Sequence, residues 1–415
     1  MNINQKILNQ LNHNQISAIK FIAQIADNHS VKAFLVGGVV RDIFLNHKIH
    51  DIDIAVESDP NRMFDSLNQS ENFQIVSMSE FGVVKGVYDG IEIDIAMTRE
   101  EAYPAPGSLP NVSLKTEIDL DLIRRDFSIN ALAVSINSKT WGEVIDVNNS
   151  LEDLQNGVIK ILHPKSFIDD PTRIFRAIKY SYRLNMDISK YSSEKMYESL
   201  NHVNLLSGKR IANELLLIFQ EENFENILNH KIMSLIFEQL DLHLSKTTKN
   251  ENFENIRDIC REDENMWWVF ISFYFNHLDR AKLVSKLDLN SRVNKAIEAF
   301  TRIELMDPDS KKSDIYMSLK GISKNVLEIS KILLQQKCVI QISIFETIIE
   351  HLKVILDGNS ILELGVAEGP EIGKILHSLT MEIIEKGPIS VKAQKDFVKS
   401  LMPCLPLRCS HRFWI

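Results

Sequence analysis

The hydrophobic period of the chain changes near residue 150. Upstream, apolar residues fall in short β-rich runs at 33–36 (AFLV), 52–56 (IDIAV), 73–78 (FQIVSM), 82–88 (GVVKGVY) and 91–97 (IEIDIAM). Downstream, Ile and Leu recur at spacings of three and four, with few Gly or Pro. Strand and helix periods bury different faces, so the chain predicts a sheet-bearing first part and a helical remainder. Residues 16–27 (ISAIKFIAQIAD) predict a helix before the first strand. Asp89-Gly90 separates the last two β runs by two residues, a strong hairpin signal. Runs joined by hairpins predict an antiparallel or mixed sheet, not a doubly wound parallel one. The expected fold class is therefore α+β. Between sheet and helices lies Tyr103-Pro104-Ala105-Pro106-Gly107-Ser108-Leu109-Pro110, which excludes helix or central strand. Residues 99–118 are accordingly expected to form an irregular loop, of a length usually functional.

The composition narrows the functional classes. A chain of 415 residues holds two to three domains at roughly 150 residues each. No apolar run approaches the ~18 residues needed to span a bilayer, so no membrane partner is expected. The first thirty residues contain neither an apolar signal core nor an Arg, and no leader is legible. Cys260, Cys338, Cys404 and Cys409 make no disulfide framework, and Cys404, Cys409 and His411 match no standard metal-ligand spacing. A cytoplasmic location is expected. The net charge of −9 disfavours non-specific nucleic-acid binding by the whole chain. A nucleic-acid partner would need a local basic surface, and Arg124, Arg125, Arg173, Arg176, Lys179 and Arg183 supply two short clusters for one.

Three constellations carry chemistry. In the first, Leu35-Val36-Gly37-Gly38-Val39-Val40-Arg41-Asp42 takes a strand through two glycines into a helix. That turn presents backbone N–H groups and a helix N-terminus to an anion such as phosphate. Nine residues later, Asp51 and Asp53 stand at i and i+2, on one face of a predicted strand. Two carboxylates that close repel unless cations lie between them, and Mg²⁺ is the expected cation. In the second constellation, Arg124 to Ala133 (RRDFSINALA), Phe127, Ile129 and Leu132 anchor a core. This leaves Arg125 to pair with a triphosphate, and Asp126 or Asn130 to bond a ribose hydroxyl. In the third, Asp170 caps a helix that opens on Pro171. Ile174, Phe175, Ile178 and Leu184 suit its buried face, while Arg173, Arg176 and Lys179 form a basic strip.

In this order the three blocks resemble the class II tRNA nucleotidyltransferase and bacterial poly(A) polymerase family. Asp146 with Leu151 to Ile159 is similar to a further family motif, and Gly208-Lys209-Arg210-Ile211 with Glu214-Leu215 to a later helical one. Leu364-Gly365-Val366 with Gly369-Pro370 and Ile372-Gly373 resembles the family's tail segment. The family usually has Glu where Asp169 stands, Arg where Lys179 stands and often Glu where Lys209 stands. The resemblance implies a polymerase-β-like nucleotidyltransferase head over 1–147. It implies a nucleotide-selecting helical neck over 148–215, a body over 216–300, a tRNA-binding tail over 301–402 and a disordered end over 403–415. It implies template-independent addition of the 3′-terminal CCA of tRNA from CTP and ATP, with Asp51 and Asp53 as catalytic metal ligands. Gly37, Gly38, Arg41, Arg125, Asp126, Asn130, Asp170, Arg173, Arg176 and Lys179 would bind the nucleotide.

Base chemistry makes template-free selection credible. Cytosine and adenine both present an exocyclic amine beside a ring acceptor, whereas guanine and uracil reverse that order. Asp170 and Arg173, at i and i+3, would accept C and A and leave polar groups unpaired against G and U. Other readings remain. A partial enzyme would add only CC or only A, and the loop at 99–118 favours a chain able to turn to ATP. A poly(A) polymerase would carry a basic RNA-binding extension, which is not seen. A catalytically dead RNA-binding module would have no reason to keep Asp51 and Asp53, and a small-molecule nucleotidyltransferase would not need so long a helical half.

Overall fold

The computed structural model describes residues 1–57, 61–79, 82–114, 116–245, 252–387 and 389–402. Two compact units are present: Met1–His243 with Lys286–Asp288, and Leu244–Ser285 with the chain from Leu289 on. The end segment expected over 403–415, with Cys404, Cys409 and His411, lies outside the described residues.

The first unit opens with α1 (Asn4–Gln10) and α2 (His13–Asn28), then β1 (Ala33–Val36), α3 (Gly38–Leu45), β2 (Ile52–Val56) and α4 (Asn61–Asn68). A meander of β3 (Phe73–Ser79), β4 (Val83–Tyr88) and β5 (Ile91–Met97) follows. Next come β6 (Arg99–Ala102), β7 (Asn111–Leu114), α5 (Ile118–Ile123), a 3-10 turn at Ser128–Asn130, β8 (Ala133–Ser135) and β9 (Val144–Ile145). The rest of the unit is mainly helical. It runs through α6 (Ser150–Gln155), β10 (Val158–Ile159), α7 (Ser166–Asp169), α8 (Thr172–Leu184) and β11 (Asp187–Ile188). It ends with α9 (Lys190–Ser199), α10 (Gly208–Phe219), α11 (Phe224–Leu228) and α12 (Lys231–Gln239).

Seven strands form one mixed sheet in the order β3-β4-β5-β2-β1-β8-β9. Every neighbouring pair is antiparallel except β2 and β5, which run parallel with Asp53 opposite Asp94. The hairpin expected at Asp89-Gly90 is present, with φ of 45° and 82°, the two left-handed residues of a type I′ turn. Central β1 is buried along its whole length, which is why its sequence is a continuous apolar run. Phe34 and Val36 pack there with Ile118 and Leu122 of α5 and Ala133 of β8. α2 begins with a capping box between Asn12 and Gln15.

The stretch at 99–118 is more regular than expected. β6 and β7 pair antiparallel from Arg99 opposite Leu114 to Ala102 opposite Asn111, so only 103–110 is a connecting loop. The ribbon strands read REEA and NVSL, with exposure alternating along both: Val112 and Leu114 form the less exposed face of β7, while Arg99 and Glu101 stand opposite them on β6. Four residues with no fully buried position give only a weak period-two signal.

The second unit is helical: α13 (Phe253–Glu262), α14 (Met266–Phe273), α15 (His277–Lys286), α16 (Ser291–Glu304) and α17 (Lys312–Leu319). It continues with α18 (Lys324–Leu333), α19 (Gln336–His351), α20 (Gly358–Glu363), α21 (Pro370–Lys386) and α22 (Val391–Leu401). α14 is apolar on all sides and its residues Met266 to Ser272 are all buried, as an all-round apolar helix must be. A second cluster forms around Ile361, Leu379 and Val398. Cys260 and Cys338 are buried free thiols. Among the described residues, no helix is long and apolar enough to cross a membrane.

Gly86 of β4 lies against the ring of Phe73 on β3, where a Cβ would come within 2.2 Å of Cζ. Phe73 is itself core. Gly86→Ala is expected to cost about 1–3 kcal/mol through overpacking. Urea unfolding of the sheet unit should show an earlier midpoint, partly recovered by adding Phe73→Leu.

Candidate active site

Gly37 holds φ +71° and ψ −132° between β1 and α3, a conformation that only glycine adopts without strain. A Cβ at Gly37 would lie 3.2 Å from an Arg125 guanidinium nitrogen and 3.8 Å from Asp53 Oδ2. The glycine turn, Arg125 and Asp53 thus share one small space. Asp53 is on β2, while Asp51 precedes the first residue of that strand, a shift of one position from the expected pairing on the strand. Burial, with Asp94 on β5 and Asp51 as like charges, pushes the Asp53 carboxyl above the usual aspartate range. Lys85 on β4 pairs with Asp94 at 2.6 Å.

The second block is organised by a carboxylate three and four residues upstream of its arginines. Asp121 on α5 is 1% exposed. Its Oδ1 accepts from Arg124 Nη2 at 2.6 Å and from the Arg99 backbone at 3.2 Å, and its Oδ2 accepts from Arg125 Nη2 at 2.7 Å. Burial alone would raise its pKa, but the Arg125 and Arg124 charges outweigh burial and hold it below the ordinary value. Arg125 is therefore clamped on one side while its other nitrogen faces Gly37 and Asp53.

Asp126 and Asn130 are engaged within the protein. Asp126 Oδ1 accepts from the Phe127 backbone and from Asn130 Nδ2, and its Oδ2 accepts from Arg176 at 2.6 Å and 2.9 Å. Asn130 Oδ1 accepts from Arg41 Nη1 at 2.8 Å. Arg41 also grips Asp42 with two nitrogens, at 2.9 Å and 3.0 Å. An unbroken chain of polar contacts thus joins α3, the 3-10 turn and α8.

Helix α8 presents the third block. Asp170 accepts from the Thr172 backbone N–H at 3.1 Å, the expected cap, with Pro171 already in helical conformation. Asp170 Oδ1 also accepts from Arg210 Nη2 of α10 at 2.7 Å. Arg173 is 4% exposed. It donates to Ser166 Oγ at 2.6 Å, to the Arg124 carbonyl at 3.0 Å and, at 3.5 Å, to the Tyr103 hydroxyl. Lys179 does not join this group. It is buried beside the Tyr180 ring, and burial lowers its pKa against the pull of Glu214 on α10.

A cleft of about 580 Å³ gathers the three blocks. Gly37, Gly38, Arg41, Asp51, Asp53, Arg125, Asp126, Asn130, Asp170, Arg173 and Arg176 all line it, and Lys179 does not. Its lining carries eight Arg or Lys against six Asp or Glu, so the cleft is cationic within a chain of net charge −9. That is the local basic surface a polyanionic ligand needs.

Residues 33–160 match the family model described as the poly A polymerase head domain. The chain is 29% identical over 392 residues to the A-adding tRNA nucleotidyltransferase of Geobacter sulfurreducens, covering 87% of this chain and 44% of that protein. It is 24% identical over 381 residues to the CCA-adding enzyme of Streptococcus mutans, covering 89% and 93% of the two. A CCA-adding enzyme solved in an apo form shares the fold at a TM-score of 0.75 and 23% identity, over 98% of this chain and 99% of that one. The head-domain match and these relatives all point to the class II tRNA nucleotidyltransferase and poly(A) polymerase family. The family generally uses a divalent metal. The chain spans under half the length of the Geobacter protein and of an A-adding relative from Aquifex aeolicus.

Several neighbours of the cleft were not legible in the sequence. Asp121 carried a signal, since a carboxylate at i−3 and i−4 of an Arg pair favours contact on a helix. Asp94 carried none, because the parallel pairing of β2 with β5 is a long-range choice. Tyr103 lay inside the loop noted for its prolines, and Arg210 inside a motif given no role.

Asp121→Asn is expected to lower stability by roughly 1.5–3 kcal/mol at neutral pH, the range for a hydrogen bond to a charged group. The Asp121 pKa is depressed in the fold, so its contribution exists above its unfolded value and is lost as pH falls through the folded one. The gap between wild type and variant in thermal melting should therefore narrow below about pH 4.

Proposed function

We propose that this chain extends the 3′ end of tRNA without a template, completing CCA from CTP and ATP with release of pyrophosphate. The reading extends to a cytoplasmic location and to the division into head, neck, body and tail given above. One observation carries it: a single cationic cleft holds a metal-type carboxylate pair under a glycine turn and, on α8, an acceptor–donor pair suited to cytosine and adenine. Two solved neighbours, CCA-adding enzymes in complex with ATP and with CTP, support the same direction.

The residues fit Mg²⁺. Among the described residues, no hydrogen-bond donor holds the Asp53 carboxylate, and no group of three or more His, Cys, Asp or Glu is arranged around a metal position. Two carboxylates with open positions suit a hard cation that keeps waters and takes up substrate phosphate oxygens. Asp51 and Asp53 would hold it. When bound, the ion supplies Lewis-acid activation of the attacking hydroxyl and charge stabilisation at the phosphorus.

The chain's own groups orient the rest. Backbone N–H groups at the start of α3 and the Arg125 guanidinium face the place for the triphosphate. Asp126 and Asn130, both engaged internally, brace that wall and leave a ribose hydroxyl only shared contacts. On α8, Asp170 accepts the exocyclic amine of C or A. Arg173 donates to the ring acceptor by giving up its long bond to Tyr103, 3.5 Å like its contact with His163.

A second reading is addition of A alone, favoured by the A-adding relatives that match over most of the chain. Extension of three tRNA substrates, ending before CCA, after C and after CC, with each nucleotide offered separately, separates the two. Full addition predicts C on the first two and A on the third. Extension of the third substrate alone, with ATP, would establish the narrower activity, and no extension of any would overturn both. Asp53→Ala is expected to abolish transfer while tRNA binding, read by filter retention, stays near wild type. Asp170→Ala should relax base choice by about 5- to 150-fold, the equivalent of one base contact.

A further inference from the structure

We propose that Arg210 is a positioning residue for base selection: it fixes the carboxylate of Asp170 so that one oxygen alone is offered to the incoming base. The inference rests on the proposed function, since it assigns Asp170 the base contact.

The two oxygens of Asp170 have unequal surroundings. Oδ1 accepts three bonds, from Arg210 Nη2 at 2.7 Å, from Thr172 Oγ1 at 2.6 Å and from the Thr172 backbone at 3.1 Å. Among the described residues, none donates to Oδ2, and Asp170 lines the cleft. A free carboxylate turns about its last bond through a broad, roughly two-fold well. With Oδ1 held by three donors from two elements, that rotation is stopped.

Arg210 can serve as the fixed point because it is itself held twice. Nη1 donates to the Gly107 carbonyl at 2.9 Å while Nη2 holds Asp170. Gly107 in turn donates its N–H toward the carbonyls of Ile168 and Asp169, at 3.1 Å and 3.2 Å. The guanidinium fork therefore spans two acceptors at fixed spacing, which an ammonium cannot do. A carboxylate without a proton offers only acceptor atoms to the amine of cytosine or adenine and none that could meet the carbonyl of uracil or guanine.

The test compares CTP with UTP and with a cytidine triphosphate analogue lacking the 4-amino group, on tRNA substrates that the wild type extends. Wild type should prefer CTP over both. Arg210→Gln is expected to lose about tenfold of that preference, the scale of one charge-assisted hydrogen bond. Its gain in CTP-over-CMP binding, which reports the triphosphate, should stay unchanged. Arg210→Lys keeps the charge but reaches one acceptor at a time, and should fall between the two. Thermal melting accompanies each variant, and Arg210→Lys carries the same ratio test if Arg210→Gln does not fold.

An equal drop in rate for all three nucleotides, with the CTP preference intact, would show a merely structural role and overturn the inference. If Asp170→Ala also leaves the preference intact, the base-selecting reading of Asp170 falls with it. A wild type that extends no tRNA overturns the proposed function first, and this inference as its dependant.

Discussion

The contact between Asp126 and Arg176 is the joint on which the cleft depends. Asp126 is nearly buried, and Arg176 reaches it from α8 with two nitrogens. Through Asn130 and Arg41 the same carboxylate is linked to the helix that follows the glycine turn. Arg176 alone would be an uncompensated charge in a partly closed wall, and Asp126 alone would be worse. Removing one partner of a buried pair typically costs about 3–5 kcal/mol, although the intact pair adds little over apolar packing. The pair is therefore better understood as fixing geometry than as adding stability. It sets the distance between the sheet, with its carboxylates, and the helix that carries Asp170 and Arg173.

Charge in this molecule is arranged against its average. A chain with nine excess negative charges concentrates arginines around one concavity. Nearly all of them are held by carboxylates or carbonyls, so their orientation is set before any ligand arrives. Preorganised donors need no rearrangement when charge develops, and a low-dielectric wall strengthens each of them. Lys179 shows the other choice. Buried near Glu214, it has its pKa lowered by burial and lies outside the cleft lining, so its charge is not set against a ligand there.

Much of this architecture was legible because local signals and tertiary needs agreed. The five β runs, the Asp89-Gly90 turn and the switch to helical period near 150 matched elements in the structure closely. The glycine turn was legible for the same reason, since a Gly-Gly between strand and helix has few other uses. The ribbon at 99–102 and 111–114 was not, because its strands are four residues long and none of their positions is fully buried. The basic strip expected on α8 is partly covered, and its three members have different surroundings. Spacing placed Arg173, Arg176 and Lys179 on one side of the helix, but could not tell that α7, α10 and the 103–110 loop would cover that side. Pairings such as Asp170 with Arg210, forty positions apart, depend on how helices cross, and no local pattern encodes that.

On the proposed reaction, one oxygen held and one oxygen free would make Asp170 a sensor with a single contact. Such a sensor registers whether the edge before it donates, and nothing about how large the ring behind that edge is. A pyrimidine and a purine that both offer an amine are equivalent to it. On the proposed reaction, then, the grammar of the product cannot be stored in this carboxylate. It can spell which letters are permitted, but the order in which they are written must be kept by something that measures length, and the growing end of the RNA is the only part of the system whose length changes.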